Sequence, residues 1–228
     1  MLLSGDGLLP EAALVDFELT MNKPLRLTAD NGLDALCHAL EAYVSRKATP
    51  FTDTLALSAC RTVFGQLRRC CSDLSDRSAR EALMLAAMQA GIAFSNSSVT
   101  LIHGMSRPIG ARFHVPHGLS NAILLPAVTK FSVPGARGRY ADAARAMGLA
   151  SSSDHDSAAC TKLIDGLAEL CADLEVPTLS ALGISRSDFA SAAPQMAVQA
   201  LASGSPSNNP IVPTADEIEE LFVGVVYA

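Results

Sequence analysis

Two pairs of side chains in this sequence have the types and spacings of metal ligands. Asp34 and His38 lie four residues apart, so in a helix both side chains project from one face. Such a pair can bind one divalent ion, although on spacing alone a surface ion pair is the simpler interpretation. His103 and His117 lie in an apolar segment rich in glycine and proline, where a buried neutral imidazole needs a hydrogen-bond partner or a metal. For either histidine alone, a hydrogen bond to a backbone carbonyl is the simpler interpretation.

Together, this aspartate and these three histidines form a candidate four-ligand site for a Lewis-acid metal. A metal there polarises an alcohol or carbonyl oxygen, whereas moving a hydride needs a cofactor as well. The other two histidines are weaker candidates. His114 precedes His117 by three residues, but Pro116 restricts Val115 to an extended conformation, which favours separation of the two rings. His155 lies in a Ser-Asp-His-Asp run and is predicted to be a solvated helix start without a chemical role.

The elements that position these residues are predicted to be helices. Apolar residues recur at three- and four-residue steps from Leu33 onward, and Thr28 or Asp30 is suited to cap this first helix. A second helix begins at a cap, either Thr52 or Asp53, and ends at about residue 69. Further helices are predicted at about 76–95, 120–131 with an interruption at Pro126, 138–147, 155–174, 186–201 and 215–226.

Two stretches are predicted to lack helices. Residues 99–118 contain five glycine or proline breakers and are predicted to be irregular, and residues 13–17 are predicted to form a short strand or a turn. Because no internal repeat and no alternation of strands and helices is found, we predict an all-α multi-helical bundle with one structural domain.

Composition argues against several functional classes. Apolar residues make up 49% of the 228 residues and charged residues 18%, which is typical of a folded chain with a large core. The net charge of −6, without a basic cluster, argues against nucleic acid as a partner. No apolar run reaches the roughly 18 residues that span a membrane, and the N-terminus lacks the features of a signal peptide. The six cysteines are therefore expected to stay reduced in the cytoplasm.

Two long segments carry a family resemblance: GLDALCHALEAYVSRKATPFTDTLAL (32–57) and AGIAFSNSSVTLIHGMSRPIGARFHVPHGLSNAILLP (90–126). They closely resemble the iron-containing (group III) alcohol dehydrogenase family, and weaker similarity extends through LLPEAALVDFELT (8–20) and the helical tail. The resemblance implies the C-terminal, all-helical metal-binding domain of a dehydroquinate synthase-like fold. It also implies domain bounds, with residues 1–27 as a residual interdomain segment and residues 28–228 as the metal-binding domain.

The resemblance assigns roles to individual residues. Phe94 matches a residue near the substrate pocket, and His114 matches a position that is not a ligand. The metal is expected to be Fe²⁺, or Zn²⁺ or another divalent ion, and the resemblance implies that its ligands are Asp34, His38, His103 and His117.

Arg107 departs from the family pattern, because many members carry a second histidine at this position. An arginine cannot serve as a general acid or base at neutral pH, so a proton relay by this route is in doubt. Arg107 could instead hold a substrate carboxylate, which favours an oxo-acid or hydroxy-acid substrate. It could equally brace a loop.

A second departure concerns the cofactor. Family members place an α/β nucleotide-binding domain with a glycine-rich loop before the segment that starts this chain, and Gly5-Asp6-Gly7 does not match such a loop. We therefore expect the nucleotide-binding domain to be absent, with NAD(P) used by the full-length enzyme and no cofactor-binding residue assigned here. Without that domain, exposed apolar surface is expected, with either a homodimer or the missing domain as the partner.

The first functional hypothesis is a metal-dependent alcohol dehydrogenase that interconverts small alcohols and aldehydes or ketones with NAD(P). The second is a non-catalytic helical remnant or oligomerisation module of the same fold. A further alternative is an oxidoreductase of the maleylacetate-reductase or glycerol-dehydrogenase type, which the Asp-His-His-His set and the segment around His103 favour less.

Overall fold

The computed structural model describes residues 10–225, without the side chain of residue 225. Gly5-Asp6-Gly7, the segment assessed for a signal peptide and the last residue of the predicted helix 215–226 lie outside the described residues. Every regular element within 10–225 is helical, so the predicted all-α fold is confirmed for this part of the chain. Its α-helices are α1 (Leu25–Val44), α2 (Pro50–Ser72), α3 (Arg77–Ser97), α4 (Leu101–Phe113), α5 (His117–Ser132), α6 (Arg137–Ala146), α7 (Asp156–Asp173), α8 (Arg186–Ala202) and α9 (Ala215–Glu220).

Helix α1 runs through the middle of the bundle. Its side chains Leu33, Leu36 and Leu40 are fully buried, and α1 packs against α2, α3, α4, α5 and α6. A helix that is apolar nearly all round is stable only when other helices cover it, which explains this central position. Several of its polar side chains, such as Thr28 and Asp30, are therefore buried, whereas Asn31 is exposed.

The predicted start of the first helix is wrong. Helix α1 begins at Leu25, directly after Pro24, whose backbone conformation is extended. Thr28 and Asp30, predicted as alternative caps, are buried within the helix, where Asp30 forms an ion pair with Arg26 at 2.6 Å. The first turn of α1 shows no apolar repeat in the sequence because part of it faces solvent. Pro24 suits the position before the helix, because proline has no backbone N–H that would need a hydrogen-bond partner.

The next two helices begin close to their predicted positions. Asp76 caps α3 by accepting a hydrogen bond from the backbone N–H of Ala79. Helix α2 is capped by Thr49, rather than by Thr52 or Asp53 as predicted. The side chains of Thr49 and Thr52 each accept a hydrogen bond from the other residue's backbone N–H, which forms a capping box.

The prediction of an irregular segment at 99–118 is wrong, because most of it forms α4. This helix contains Pro108, and α5 likewise continues through Pro126 instead of being interrupted. An internal proline costs roughly 3 kcal/mol. Packing of α4 against α5 and α8 offsets this cost. Gly104 permits close packing of α4 against the 3-10 turn Ser205–Asn208, since a β-carbon at this position would lie 2.7 Å from the ring of Pro206.

The later helices agree with their predicted bounds within one or two residues, except that α9 is shorter and ends in a π-helical turn, Leu221–Val225. The predicted strand or turn at 13–17 has no regular structure before a 3-10 turn at Phe17–Thr20.

Helices α3 and α4 meet at a sharp corner. Ser98, which has a positive φ of 68°, ends α3, and the two helix axes bend by 102°. The hydroxyl of Ser45 donates a hydrogen bond to the carbonyl of Ser97 at 2.5 Å, and the Asn208 amide donates to the Ser98 hydroxyl at 3.1 Å. No single described helix is long and apolar enough to cross a membrane; α3 and α4 meet that criterion only as this bent pair.

Candidate metal centre

Three helices bring the four predicted ligands together. Asp34 and His38 come from α1, His103 from the first turn of α4 and His117 from the first residue of α5. One potential ligand atom from each side chain lies within 4.8 Å of all the others. Asp34 Oδ1 is 3.5 Å from His103 Nε2 and 3.7 Å from His117 Nε2, and Asp34 Oδ2 is 3.9 Å from His38 Nδ1.

This arrangement fits one divalent metal ion. Two atoms that each bind an ion at about 2.0–2.2 Å lie at most ~4.4 Å apart, so shifts of a few tenths of an ångström suffice. One carboxylate and three imidazoles suit Fe²⁺ and Zn²⁺. The cluster is most open at His117, whose side chain is 50% exposed, whereas His103 is buried. An open side leaves room for a substrate oxygen, which is typical of catalytic rather than structural metal sites.

Gly118 allows α5 to approach α1 at this site. A β-carbon at position 118 would lie 2.7 Å from the carbonyl oxygen of Asp30 and 3.4 Å from the β-carbon of Asp34. Only glycine fits between the two helices without displacing main chain. The glycine that follows His117 therefore sets how closely that histidine approaches Asp34.

Glu41 is a buried residue of the site that the sequence analysis missed. It lies on α1, is 1% exposed, and its Oε2 makes a short hydrogen bond with Nδ1 of His103. Its Oε1 accepts hydrogen bonds from the hydroxyl of Thr100 at 2.8 Å and from the backbone N–H of Ile102 at 2.6 Å. An acidic residue in the apolar run ALEAYV, three residues after His38, was the available signal.

Asn121 is the second residue that the sequence analysis missed. Its side chain is fully buried, and Nδ2 lies 2.6 Å from Asp34 Oδ1, 3.1 Å from His103 Nε2 and 3.2 Å from His117 Nε2. It follows His117 by one helical turn, so both side chains point toward α1. The short hydrogen bond to Asp34 holds that carboxylate in place within the cluster.

Burial and mutual charge interactions shift the pKa values of the cluster. Burial raises the pKa of Asp34, but the hydrogen bond and charges of the histidines outweigh it and lower the pKa to about 2. Burial and the charge of His103 lower the pKa of His38 to about 4. Burial likewise opposes protonation of His103, yet the charges of Glu41 and Asp34 raise its pKa to about 9. In the chain by itself, one proton on His103 therefore balances part of the carboxylate charge at neutral pH.

A model of the Fe-containing alcohol dehydrogenase family, C-terminal part, matches residues 28–226. The chain belongs to this family. The 1,3-propanediol dehydrogenase of Citrobacter freundii is 37% identical over 215 residues, which cover 94% of this chain and 54% of that protein. The NADPH-dependent butanol dehydrogenase of Clostridium saccharobutylicum is 37% identical over 219 residues, covering 96% of this chain and 55% of that protein.

A solved structure supports the same relationship. The crystal structure of a 1,3-propanediol oxidoreductase matches with a TM-score of 0.86 and 36% identity, covering 91% of this chain and 53% of the other. The chain thus spans about half the length of these relatives in the Fe-containing alcohol dehydrogenase family.

In this member of the Fe-containing alcohol dehydrogenase family, Phe94 lies directly beside the four-residue cluster. Its ring stacks on that of His38, with centroids 4.4 Å apart and planes inclined by 18°. Arg107 is exposed on α4, one turn after His103, and its Nη1 donates a hydrogen bond to the Ser205 hydroxyl at 2.9 Å.

The two remaining histidines lie apart from the cluster. His114 is the exposed, left-handed C-cap of α4, and His155 is the exposed N-cap of α7. Neither contributes to the group of potential ligands found among residues 10–225. The predicted separation of His114 from His117 agrees with this placement.

Proposed function

We propose that this chain is the metal-binding catalytic half of an iron-type alcohol dehydrogenase, which interconverts small alcohols and aldehydes or ketones with NAD(P). The observation that supports this proposal most directly is the approach of one carboxylate and three imidazoles within 4.8 Å of one another. The printed names of the relatives, a propanediol and a butanol dehydrogenase, support the same reaction class.

In this proposal the ion is held by four side chains, those of Asp34, His38, His103 and His117. When bound, Fe²⁺, or Zn²⁺ or another divalent ion, polarises the substrate oxygen and stabilises negative charge on it. The half-exposed side of His117 admits the substrate, and the buried side, formed by α1 and α4, excludes water. The ring of Phe94 forms an apolar wall next to His38.

Arg107 has two proposed roles. The hydrogen bond to Ser205 supports a bracing role, because it joins α4 to the turn Ser205–Asn208. A role in binding a substrate carboxylate is supported by its exposure, its place one turn after His103 and the lack of an ion-pair partner among the described residues. If it binds a carboxylate, Arg107→Met lowers kcat/KM for a short oxo-acid far more than for a neutral aldehyde. Equal losses for both substrates favour bracing.

We propose residues 28–228 as the metal-binding domain and residues 1–27 as the segment that joins it to a nucleotide-binding domain. An exposed apolar stripe on α3, formed by Leu85, Met88 and Ile92, supports packing against a partner, either that domain or a second copy in a homodimer.

All six cysteines are free thiols, which supports a cytoplasmic location.

Metal stoichiometry tests the proposal. The purified chain is titrated with Co²⁺ or Zn²⁺, and one ion per chain is expected. Asp34→Asn and His117→Ala are expected to weaken binding strongly, whereas the matched control His155→Ala removes an exposed histidine far from the cluster and leaves it unchanged. Absence of stoichiometric binding, or an equal loss in the control variant, would refute the proposal.

The alternative is a non-catalytic helical remnant or oligomerisation module of the same fold. The discriminating measurement is NAD(P)H oxidation by the metal-loaded chain with short aldehydes. Robust turnover rejects the alternative. Stoichiometric metal binding without turnover favours it for the chain acting alone. A maleylacetate-reductase or glycerol-dehydrogenase type of substrate is tested in the same assay.

A further inference from the structure

We infer that Glu41 positions His103 for metal binding: its carboxylate keeps the ring proton on Nδ1 and so leaves Nε2 free to bind the ion. This inference rests on the proposed function, because it assigns a purpose to a residue that does not itself reach the ion. Glu41 is therefore a positioning residue rather than a catalytic one.

The hydrogen bond between Glu41 and His103 fixes the tautomer of the ring. A neutral imidazole carries one proton, and a carboxylate can only accept a hydrogen bond, so the proton resides on the nitrogen that faces Glu41 Oε2. That nitrogen is Nδ1. The opposite nitrogen, Nε2, lies 3.5 Å from Asp34 Oδ1 and 3.1 Å from Asn121 Nδ2, and on the neutral ring its lone pair is directed into the cluster. A carboxylate on the far nitrogen of a ligating histidine also makes the ligand more basic.

The other oxygen of Glu41 fixes the carboxylate itself. Oε1 accepts hydrogen bonds from the Thr100 hydroxyl and from the backbone N–H of Ile102, and it lies 3.4 Å from the backbone nitrogen of His103. These backbone groups belong to the first turn of α4, where helical N–H groups lack partners within the helix. Glu41 therefore caps α4 from α1, and one carboxylate orients both the start of the helix and the ring of its ligand.

Charge supports the same assignment. Asp34 and Glu41 are carboxylates that contact His103, and once His103 has lost its extra proton they give, with three neutral imidazoles, a net charge of −2. A divalent ion neutralises this charge in a largely buried site, where an unbalanced charge is costly. The capping hydrogen bonds alone account for only one oxygen of Glu41, whereas the contact with His103 accounts for the second.

The competing explanation is that Glu41 only caps α4, and Glu41→Gln separates the two roles. The glutamine oxygen is expected to take the place of Oε1, because two N–H groups and a hydroxyl point there. The NH₂ group then faces Nδ1 of His103 and donates to it. The ring proton moves to Nε2, which can no longer bind a metal, while the cap of α4 is kept.

The experiment measures Co²⁺ affinity of the full chain by competition with a chelator, together with the visible absorption of bound Co²⁺. Glu41→Gln is expected to weaken binding roughly 10–100-fold and to change the Co²⁺ spectrum, with unchanged circular dichroism. The matched control is Asp76→Asn, which makes the same carboxylate-to-amide change at the N-cap of α3, outside the cluster. Its Co²⁺ affinity and spectrum are expected to stay close to those of the unmodified chain.

A second measurement does not depend on the folding of a variant. Nuclear magnetic resonance of the ¹⁵N-histidine-labelled, Zn²⁺-loaded chain is expected to show a His103 ring with its proton on Nδ1 and the metal on Nε2. Metal on Nδ1, or wild-type affinity and spectrum in Glu41→Gln, would overturn the inference while leaving the proposed function intact. An unmodified chain that binds neither Co²⁺ nor Zn²⁺ would instead refute the proposed function.

Discussion

The tight contact at Gly118 leads to a specific prediction for Gly118→Ala. A β-carbon at this position lies 2.7 Å from the carbonyl oxygen and 3.0 Å from the carbonyl carbon of Asp30, whereas ordinary contact begins at 3.4 Å. The obstructing atoms are main chain of α1, which cannot rotate away as a flexible side chain can. Relief of the overlap therefore requires α1 and the start of α5 to separate by roughly 0.7 Å, the difference between 3.4 and 2.7 Å.

A separation of this size acts directly on the ligand set. His117 is the residue next to Gly118, and its Nε2 lies 3.7 Å from Asp34 Oδ1 on α1. Metal–ligand distances stay within about 0.2 Å of their usual values, so a displacement of this size weakens the bond of His117 to an ion shared with the other three ligands. We expect metal affinity to fall by roughly 100-fold or more, since even outer-shell changes cost 10–100-fold. Overpacking should also cost about 1–3 kcal/mol of stability, partly offset by the better helix propensity of alanine.

The assay combines denaturant unfolding of the metal-free chain with chelator competition for Zn²⁺. The matched control is Gly65→Ala, in the exposed middle of α2, where a β-carbon meets no heavy atom within 4 Å. This control is expected to stabilise the chain by ~0.5–1 kcal/mol and to leave metal affinity unchanged. Wild-type Zn²⁺ affinity in Gly118→Ala would refute the reasoning, because α1 and α5 would then have absorbed the overlap without moving the ligands.

Three further predictions concern the cluster and its surroundings. The pKa of His103 is raised to about 9, so binding of an ion at neutral pH is expected to release about one proton. Metal affinity should therefore rise with pH up to about 9 and then level off. Calorimetry in buffers of different ionisation enthalpy measures this release, and an affinity independent of pH between about 6 and 8 would contradict it. Asn121→Leu removes the 2.6 Å hydrogen bond to Asp34 and is expected to weaken Zn²⁺ binding roughly 10-fold, so an unchanged affinity would argue against this role. Thr49→Ala breaks the capping box of α2 and is expected to cost ~1 kcal/mol in denaturant unfolding, with no change in metal affinity.

Local signals in the sequence predicted most of the fold correctly. The start of α3 and the bounds of the later helices up to α8 depend on nearby residues, and these predictions agree with the structure. Helix α4 was not predicted because its glycines and Pro108 disfavour a helix locally. It forms because packing against α5 and α8 and the cap from Glu41 outweigh that preference. These contacts join residues far apart along the chain, so no local pattern contains them.

The candidate site was predictable to a similar extent. Residue type and spacing, together with the family resemblance, selected the four side chains that the fold brings together, and their role as ligands remains a prediction. Glu41 and Asn121 were missed because their importance depends on which atoms they meet across helices. On a helix in isolation, Glu41 is an acidic residue like any other. Only the crossing of α1 with the start of α4 places its carboxylate against His103.

The corner between α3 and α4 has a consequence for engineering. Phe94 lies at the end of α3 and His103 at the start of α4, so the corner determines how the aromatic wall faces the imidazoles. It is held by hydrogen bonds from Ser45 and Asn208, neither of which is one of the four potential ligands. Grafting Phe94 and the four potential ligands into another scaffold would therefore transfer the side chains without their relative orientation. A recipient that lacks these two hydrogen bonds would hold the same side chains at a different angle.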